Sequence, residues 1–210
     1  MTAGSATSDN QVEIRSGLPD SCRRQAAVIY YEAFHQKLAP LVRRPERAVA
    51  LLEQAFDPGY AIVALYQDRC VGIAGLQYHG HRFIRTRWSA FAQELGWVRG
   101  ALGCAGFHAF DPSPRRNELR IECLAVASAM RGQGIGTLLL SATDDRARAE
   151  GLQAVTLEVV DVNPDARRLY ERQGFVPIRT LRYPYLRRIV GFSAATVMAK
   201  EIAARSADPP

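Results

Sequence analysis

The sequence predicts an α/β domain built on a mixed sheet flanked by helices. Strand-like and helix-like segments alternate through the second half, a glycine-rich turn at residues 131–136 joins one such pair, and two β-rich runs upstream are spaced for a hairpin. Strand–helix–strand order calls for a parallel pair and a right-handed crossover, whereas a hairpin calls for antiparallel neighbours. One sheet must hold both.

Residues 1–10 are polar, with neither a basic start nor an apolar stretch, and read as a flexible N-terminus, not a signal peptide. Val12–Arg15 reads as the first strand, and a helix follows from about Asp20 to Phe34. Pro45 suits the first turn of a second helix, with Ala48, Leu51, Leu52 and Ala55 at helical spacing. Tyr60–Tyr66 and Val71–Gln77 flank Gln67-Asp68-Arg69 as the hairpin. Residues 82–110 are rich in arginine, aromatics and glycine, with Trp88, Phe91, Leu95 and Val98 at helical spacing. They read as a helical insertion, serving either as a cover for the core or as a lid over a substrate pocket.

Asn117–Val126 alternates and then turns apolar, as a strand does when one end enters the core. A helix is expected from Gly134 to Glu150, with Gly151 as its C-cap, and Ala154–Val160 reads as a buried β-branched strand. Asn163 then suits an N-cap, Pro164 a first turn, and Asp165 the positive end of another helix. That helix puts Ala166, Leu169 and Tyr170 on one side, and Gly174-Phe175 ends it as a Schellman motif. Ala194–Ala199 supplies a last strand and residues 204–210 a flexible tail, leaving 11–203 as one domain.

Composition narrows the function classes. In 210 residues, 48% are hydrophobic and 23% charged, which suits a single packed domain. Apolar runs such as Ala61–Leu65 are too short to span a bilayer, so no membrane role is expected. Cys22, Cys70, Cys104 and Cys123 are scattered without a C-x-x-C pair and read as reduced thiols of a cytoplasmic protein. His35, His79, His81 and His108 offer no third ligand near any pair, so no metal is expected. With 27 Lys+Arg against 21 Asp+Glu, the net charge of +6 suits a polyanionic ligand, yet no motif for nucleic-acid readout accompanies it. A serine hydrolase is disfavoured by the lack of a G-x-S-x-G elbow.

The strongest chemical signal is Arg131-Gly132-Gln133-Gly134-Ile135-Gly136, which runs directly into a helix. Its glycines strip side chains from a loop whose N–H groups can converge on an anion, and the helix dipole favours negative charge there. A dinucleotide fingerprint fails because position 137 is threonine, and a Walker loop fails for want of Gly-Lys-Ser/Thr.

The run from Leu124 to Gly136, with Arg131, Gly134 and Gly136 at the defining positions, resembles the acetyl-CoA signature of the GNAT N-acetyltransferase superfamily. Asn163-Pro-Asp-Ala166-Arg-Arg-Leu169-Tyr170-Glu-Arg-Gln-Gly174-Phe175 is similar to that superfamily's closing helix, and the likeness covers roughly Glu118–Phe175. Ser128 departs from it, standing where many relatives carry proline.

The resemblance implies a mixed sheet whose central parallel strands splay to admit the pantetheine arm of coenzyme A. It implies that backbone groups of Leu124 and Val126, with Ala125 between them, hold that arm. Arg131, Gly132, Gln133, Gly134, Ile135, Gly136 and Thr137 would hold the pyrophosphate. Asn163 and Tyr170 would lie toward the thioester, with Ala166 among the cofactor-binding residues.

Acetyl transfer to an amine needs the amine deprotonated, the carbonyl polarised and the thiolate stabilised. The resemblance offers Tyr170 for the leaving sulfur. Strand alternation puts Glu118, Arg120, Glu122, Leu124 and Val126 on one face, with Glu122 nearest the arm as candidate base and Glu118 in reserve. Either glutamate has a second reading as an arginine's ion-pair partner. Tyr30, Tyr31, Phe34, Trp88 and Trp97 read either as core or as lining of an acceptor pocket. The expected activity is N-acetylation of a primary amine on a small molecule or peptide, by a monomer or homodimer; the alternative is a non-catalytic acyl-CoA-binding module.

Overall fold

The computed structural model describes residues 11–38, 44–85, 114–182 and 191–203. Its strands are β1 (Glu13–Ser16), β2 (Ala61–Tyr66), β3 (Arg69–Tyr78), β4 (His81–Arg82), β5 (Glu118–Val126), β6 (Ala154–Val160), β7 (Val176–Arg182) and β8 (Ala194–Glu201). The helices are α1 (Arg23–Leu38), α2 (Pro45–Ala55), α3 (Ile135–Ala149) and α4 (Pro164–Arg172). The strands form one mixed eight-stranded sheet in the order β1-β2-β3-β5-β6-β8-β7, with β4 attached to β3. Only β5 and β6 are parallel neighbours; every other pairing is antiparallel.

Apolar side chains on the two sheet faces create two cores. Ile62, Ala74, Leu119, Ile121, Leu157 and Met198 pack with Leu139 and Leu140 of α3 and Tyr170 of α4. On the opposite face Val63, Ile73, Cys123 and Ala125 pack with Ala26, Ala27 and Tyr30 of α1 and Leu52 of α2. At one edge of the α3 face, Lys200 Nζ donates to Asp144 Oδ2 over 2.5 Å and ties β8 to α3.

Most expected elements lie within a residue or two of where local pattern puts them. Ala154–Val160 and the helix opening at Pro45 coincide with β6 and α2. The β2–β3 turn uses Gln67 (φ 49) and Asp68 (φ 57), a primed-turn geometry that matches strand twist, while Arg69 already belongs to β3. The helix expected at Asp20 begins as a single 3-10 turn over Asp20–Cys22 and then runs to Leu38. Strand β7 has no counterpart in the sequence reading.

The segment 82–110 starts differently from a helix. A turn at His79 and Gly80 reverses the chain, and His81–Arg82 pairs with the end of β3. Phe83 N donates to Leu76 O at 2.9 Å, and Asp57 N donates to Phe83 O at 2.7 Å. Ile84 bridges Phe56, and Arg85 N donates to Ala55 O at 2.8 Å. Residues 81–85 are therefore an extended strap stitched to β3 and to the chain after α2. The rest of the expected insertion, with Trp88 and Trp97, lies outside the described residues, as do residues 1–10 and 204–210.

Gly75 makes room for that strap. The fully buried Phe83 ring stacks on Phe56 at 4.3 Å, and a Cβ on Gly75 would lie 2.3 Å from Phe83 and 2.8 Å from Cys123 Sγ. Gly75→Ala is expected to cost about 2 kcal/mol through overpacking, read as a lower midpoint in urea unfolding. An unchanged midpoint would mean that Phe83 does not fill this notch.

Candidate functional site

The site grows from an interruption in the sheet. The parallel ladder between β5 and β6 runs from Glu118/Ala154 to Ile121/Leu157 and stops, although both strands continue. Beyond it, β6 stays paired with β8 up to Val160, while β5 pairs only with β3. One backbone edge of residues 123–126 thus faces a gap between parting strands. An extended ligand with amide groups can pair there as a strand would.

The fork coincides with a bulge. On β3 the partners run Leu76↔Ile121 and then Gly75↔Cys123, so Glu122 is the extra residue. The simple alternation expected for this strand is thereby corrected. Leu119 and Ile121 pack on the same side as Leu124 and Val126, while Cys123 and Ala125 face the opposite core. A bulge changes which residues share a face, and period-two counting across it fails.

Glu122 is nearly buried, with its side chain 6% exposed. Arg82 Nε and Nη2 donate to its Oε1 at 2.8 and 2.5 Å, and Ile84 N donates to Oε2 at 3.1 Å. Arg120 and Glu158 form a further ion pair across β5 and β6 at 3.2 Å, just before the strands part. Glu118 lies at the far end of β5, where its Oε2 accepts from Arg115 N. Glu122, not Glu118, stands at the fork.

At the open end of the fork, β5 leads through a 3-10 turn, Ser128–Met130, into the glycine loop and α3. Gly132 (φ 77) and Gly134 (φ 80) take left-handed conformations that favour glycine, and Gly134 is the N-cap of α3. No side chain caps this helix and its first turn carries no acid. The N–H groups of Ile135, Gly136 and Thr137, which have no intrahelical partners, are thus left with the positive helix end for an anion. The Ile135 side chain is core, so only its backbone can serve. Arg131 is exposed, with Nε donating to Val126 O at 3.2 Å, and exposed Gln133 flanks the loop. Gly136 serves a different end: a Cβ there would sit 3.0 Å from Leu169 Cδ2, so its absence lets α3 approach α4.

On α4, Asn163 Oδ1 accepts from Ala166 N at 3.2 Å as the N-cap. At the other end Gly174 (φ 86) closes a Schellman motif, with Phe175 N donating to Tyr170 O and Gly174 N to Glu171 O. Between these caps Tyr170 is directed into the sheet, 8% exposed. Burial, aided by the nearby Cys123 thiol, pushes its phenol up from 10.0 to about 12. Cys123 is itself buried, and burial first, then the Glu122 charge, raises its thiol well above the ordinary range, so it packs and does not act as a nucleophile.

The structure therefore gathers Leu124, Ala125, Val126, the 131–137 loop and Tyr170 along one path, with Glu122 at its closed end. Tyr30 belongs to the core beside Phe34 and Phe56. Among the described residues no metal-holding cluster occurs, and no helix is long and apolar enough to cross a membrane. Arg82, which the sequence reading placed only at the start of the 82–110 insertion and gave no role, is the addition; the turn signal at Gly80 was its one local mark.

Fold and site define a class: a mixed-sheet α/β protein with a gap between two parting parallel strands and a glycine loop at the head of the helix that follows. Comparison with known proteins agrees. The sequence profile of the Acetyltransferase (GNAT) family matches residues 27–175, and the chain belongs to that family. An acetyltransferase of Agrobacterium fabrum is 42% identical over 66 residues, 31% of this chain and 47% of that protein. Streptothricin acetyltransferase of Streptomyces lavendulae is 42% identical over 71 residues, 34% of this chain and 38% of that one. Each alignment thus spans under half of the relative's length. Among solved structures, yncA of Salmonella typhimurium, described with its cofactor acetyl-CoA, superposes with a TM-score of 0.60 at 18% identity, covering 95% of this chain and 99% of that one. At that identity the match speaks for the fold.

Tyr170 supplies a check on the site's interior. An acid whose pKa is raised on folding adds stability that is complete below its unfolded value and lost as pH climbs through the folded one. The window here runs from 10.0 to about 12 and is worth roughly 2–3 kcal/mol. Urea midpoints are expected to fall more steeply across that window in the wild type than in Tyr170→Phe. Parallel curves would show that the phenol is not buried.

Proposed function

We propose that this protein is an N-acetyltransferase that moves an acetyl group from acetyl-CoA to a primary amine of a small molecule or peptide by direct attack. The observation that carries the reading is the alignment of an uncapped, acid-free helix N-terminus, an open strand edge and a buried tyrosine along one path. The helix end suits the pyrophosphate, the β5 edge the amides of the pantetheine arm, and the Tyr170 region the thioester.

In the reaction an N–C bond forms, the C–S bond breaks, and a proton leaves the amine. Glu122 is the proposed acceptor of that proton, directly or through a water, and the thiolate gains a hydrogen bond from Tyr170. Full transfer from a phenol near 12 to a thiolate of pKa about 8.5 is uphill. Tyr170 therefore acts chiefly as a fixed hydrogen-bond donor to the developing charge.

Isothermal titration with acetyl-CoA, combined with an amine screen that follows free coenzyme A, tests the reading. Binding and amine-dependent release are expected. Absence of binding at millimolar cofactor sinks it, and binding without transfer to any amine would favour a non-catalytic acyl-CoA-binding module. Tyr170→Phe should lower kcat about a hundredfold while leaving acetyl-CoA affinity within about twofold. Unchanged turnover with chemistry rate-limiting removes Tyr170 from the mechanism.

A further inference from the structure

Glu122 is the extra residue of a bulge, where the regular register of β5 against β3 is interrupted. Its carboxylate is held by the strap. Both nitrogens of the Arg82 guanidinium edge reach Oε1, while the Ile84 N–H reaches Oε2, so the carboxylate is gripped at each oxygen. A guanidinium that donates twice fixes position as well as charge, which an ammonium cannot do in the same way.

The strap is itself held from three directions. Phe83 is locked over Gly75 and against Phe56, its N–H bonds β3, and Ile84 and Arg85 join the chain after α2. Arg23 of α1 reinforces that chain, with Nη1 donating to Glu53 O and Phe56 O at 3.1 Å each. The connection therefore runs from α1 and α2 through the strap to the carboxylate at the fork.

Resting on the reading of Glu122 as proton acceptor, we propose that Arg82 is a positioning residue for acetyl transfer: it holds the Glu122 carboxylate at the fork and acts on the reaction only through it. Arg82 lies on the α1/α2 side and has no part in the phosphate loop. Its loss should therefore spare acetyl-CoA binding and damage the amine half-reaction. The neighbouring Cys123 thiol feels the Glu122 charge, and Tyr170 of α4 in turn interacts with Cys123. Arg82 sets a positive charge in direct contact with the carboxylate.

A double-mutant cycle tests this, with Arg82→Gln, Arg82→Lys, Glu122→Gln and the Arg82→Gln/Glu122→Gln pair. The acceptor is whichever of ethanolamine, putrescine, glycinamide and Ala-Ala-Ala the wild type acetylates best. Arg82→Gln and Glu122→Gln should each lower kcat about a hundredfold, the pair no further, with acetyl-CoA affinity unchanged by calorimetry and partial rescue by Arg82→Lys. Additive losses, or a loss of acetyl-CoA affinity, overturn the proposal. A Glu122→Gln enzyme with wild-type turnover sinks the base reading and the positioning role with it. Wild-type turnover in Arg82→Gln beside an impaired Glu122→Gln sinks the positioning role alone.

If none of the four amines is acetylated, carbon-13 NMR of labelled glutamate carboxyls in the same variants decides, without any turnover. The Glu122 titration midpoint should move to higher pH in Arg82→Gln, since removing an opposite charge disfavours the ionised form, and return part way in Arg82→Lys. An unmoved midpoint overturns the clamp.

Discussion

After Ile121 and Leu157 the two parallel strands cease to pair, and much of the remaining architecture follows from how the fold tolerates that break. Strand edges buried without hydrogen-bond partners are costly, so a gap persists in a sheet only where something else supplies those bonds or where solvent reaches them. Here β3 secures one side of β5 and β8 secures one side of β6 beyond the break, so each strand keeps a hydrogen-bonded neighbour as the two separate. The break faces an uncapped helix end whose glycine loop presents backbone N–H groups. An elongated ligand with an anionic head and an amide-bearing arm would satisfy both ends at once.

The two faces of the sheet divide the chemistry. On the α3/α4 side, Gly136 allows helix contact and the Schellman closure at Gly174 sets the register of Tyr170, so the phenol is held where burial keeps it protonated. On the α1/α2 side, the bulge at Glu122 turns a carboxylate toward the strap, and Arg82 receives it. A phenol kept protonated by burial and a carboxylate paired with a guanidinium are thereby placed in different environments.

Where neighbouring residues determine conformation, the sequence was legible. Asn163-Pro164, Gly134 and Gly174 act through caps and dihedral preference, and each stands where its type demands. The glycine turn that leads into α3 was legible for the same reason. Strand β7 was not, because Val176 and Ile178 are exposed and nearly the whole strand lies open, so no buried alternation marks it. Nor was the role of Arg82. Its partner lies forty residues away in sequence, and the contact depends on a bulge that shifts which side chains share a face. Long-range pairing of this kind is a property of sheet register, and local pattern carries no record of it.

The account rests on the parting of β5 and β6 being the seat of the acyl donor. Amide hydrogen exchange, with and without acetyl-CoA, reads that most directly. Protection is expected in two stretches together, residues 123–126 on the open edge and residues 132–137 at the head of α3. Protection of the loop without the strand, or of neither, would contradict it.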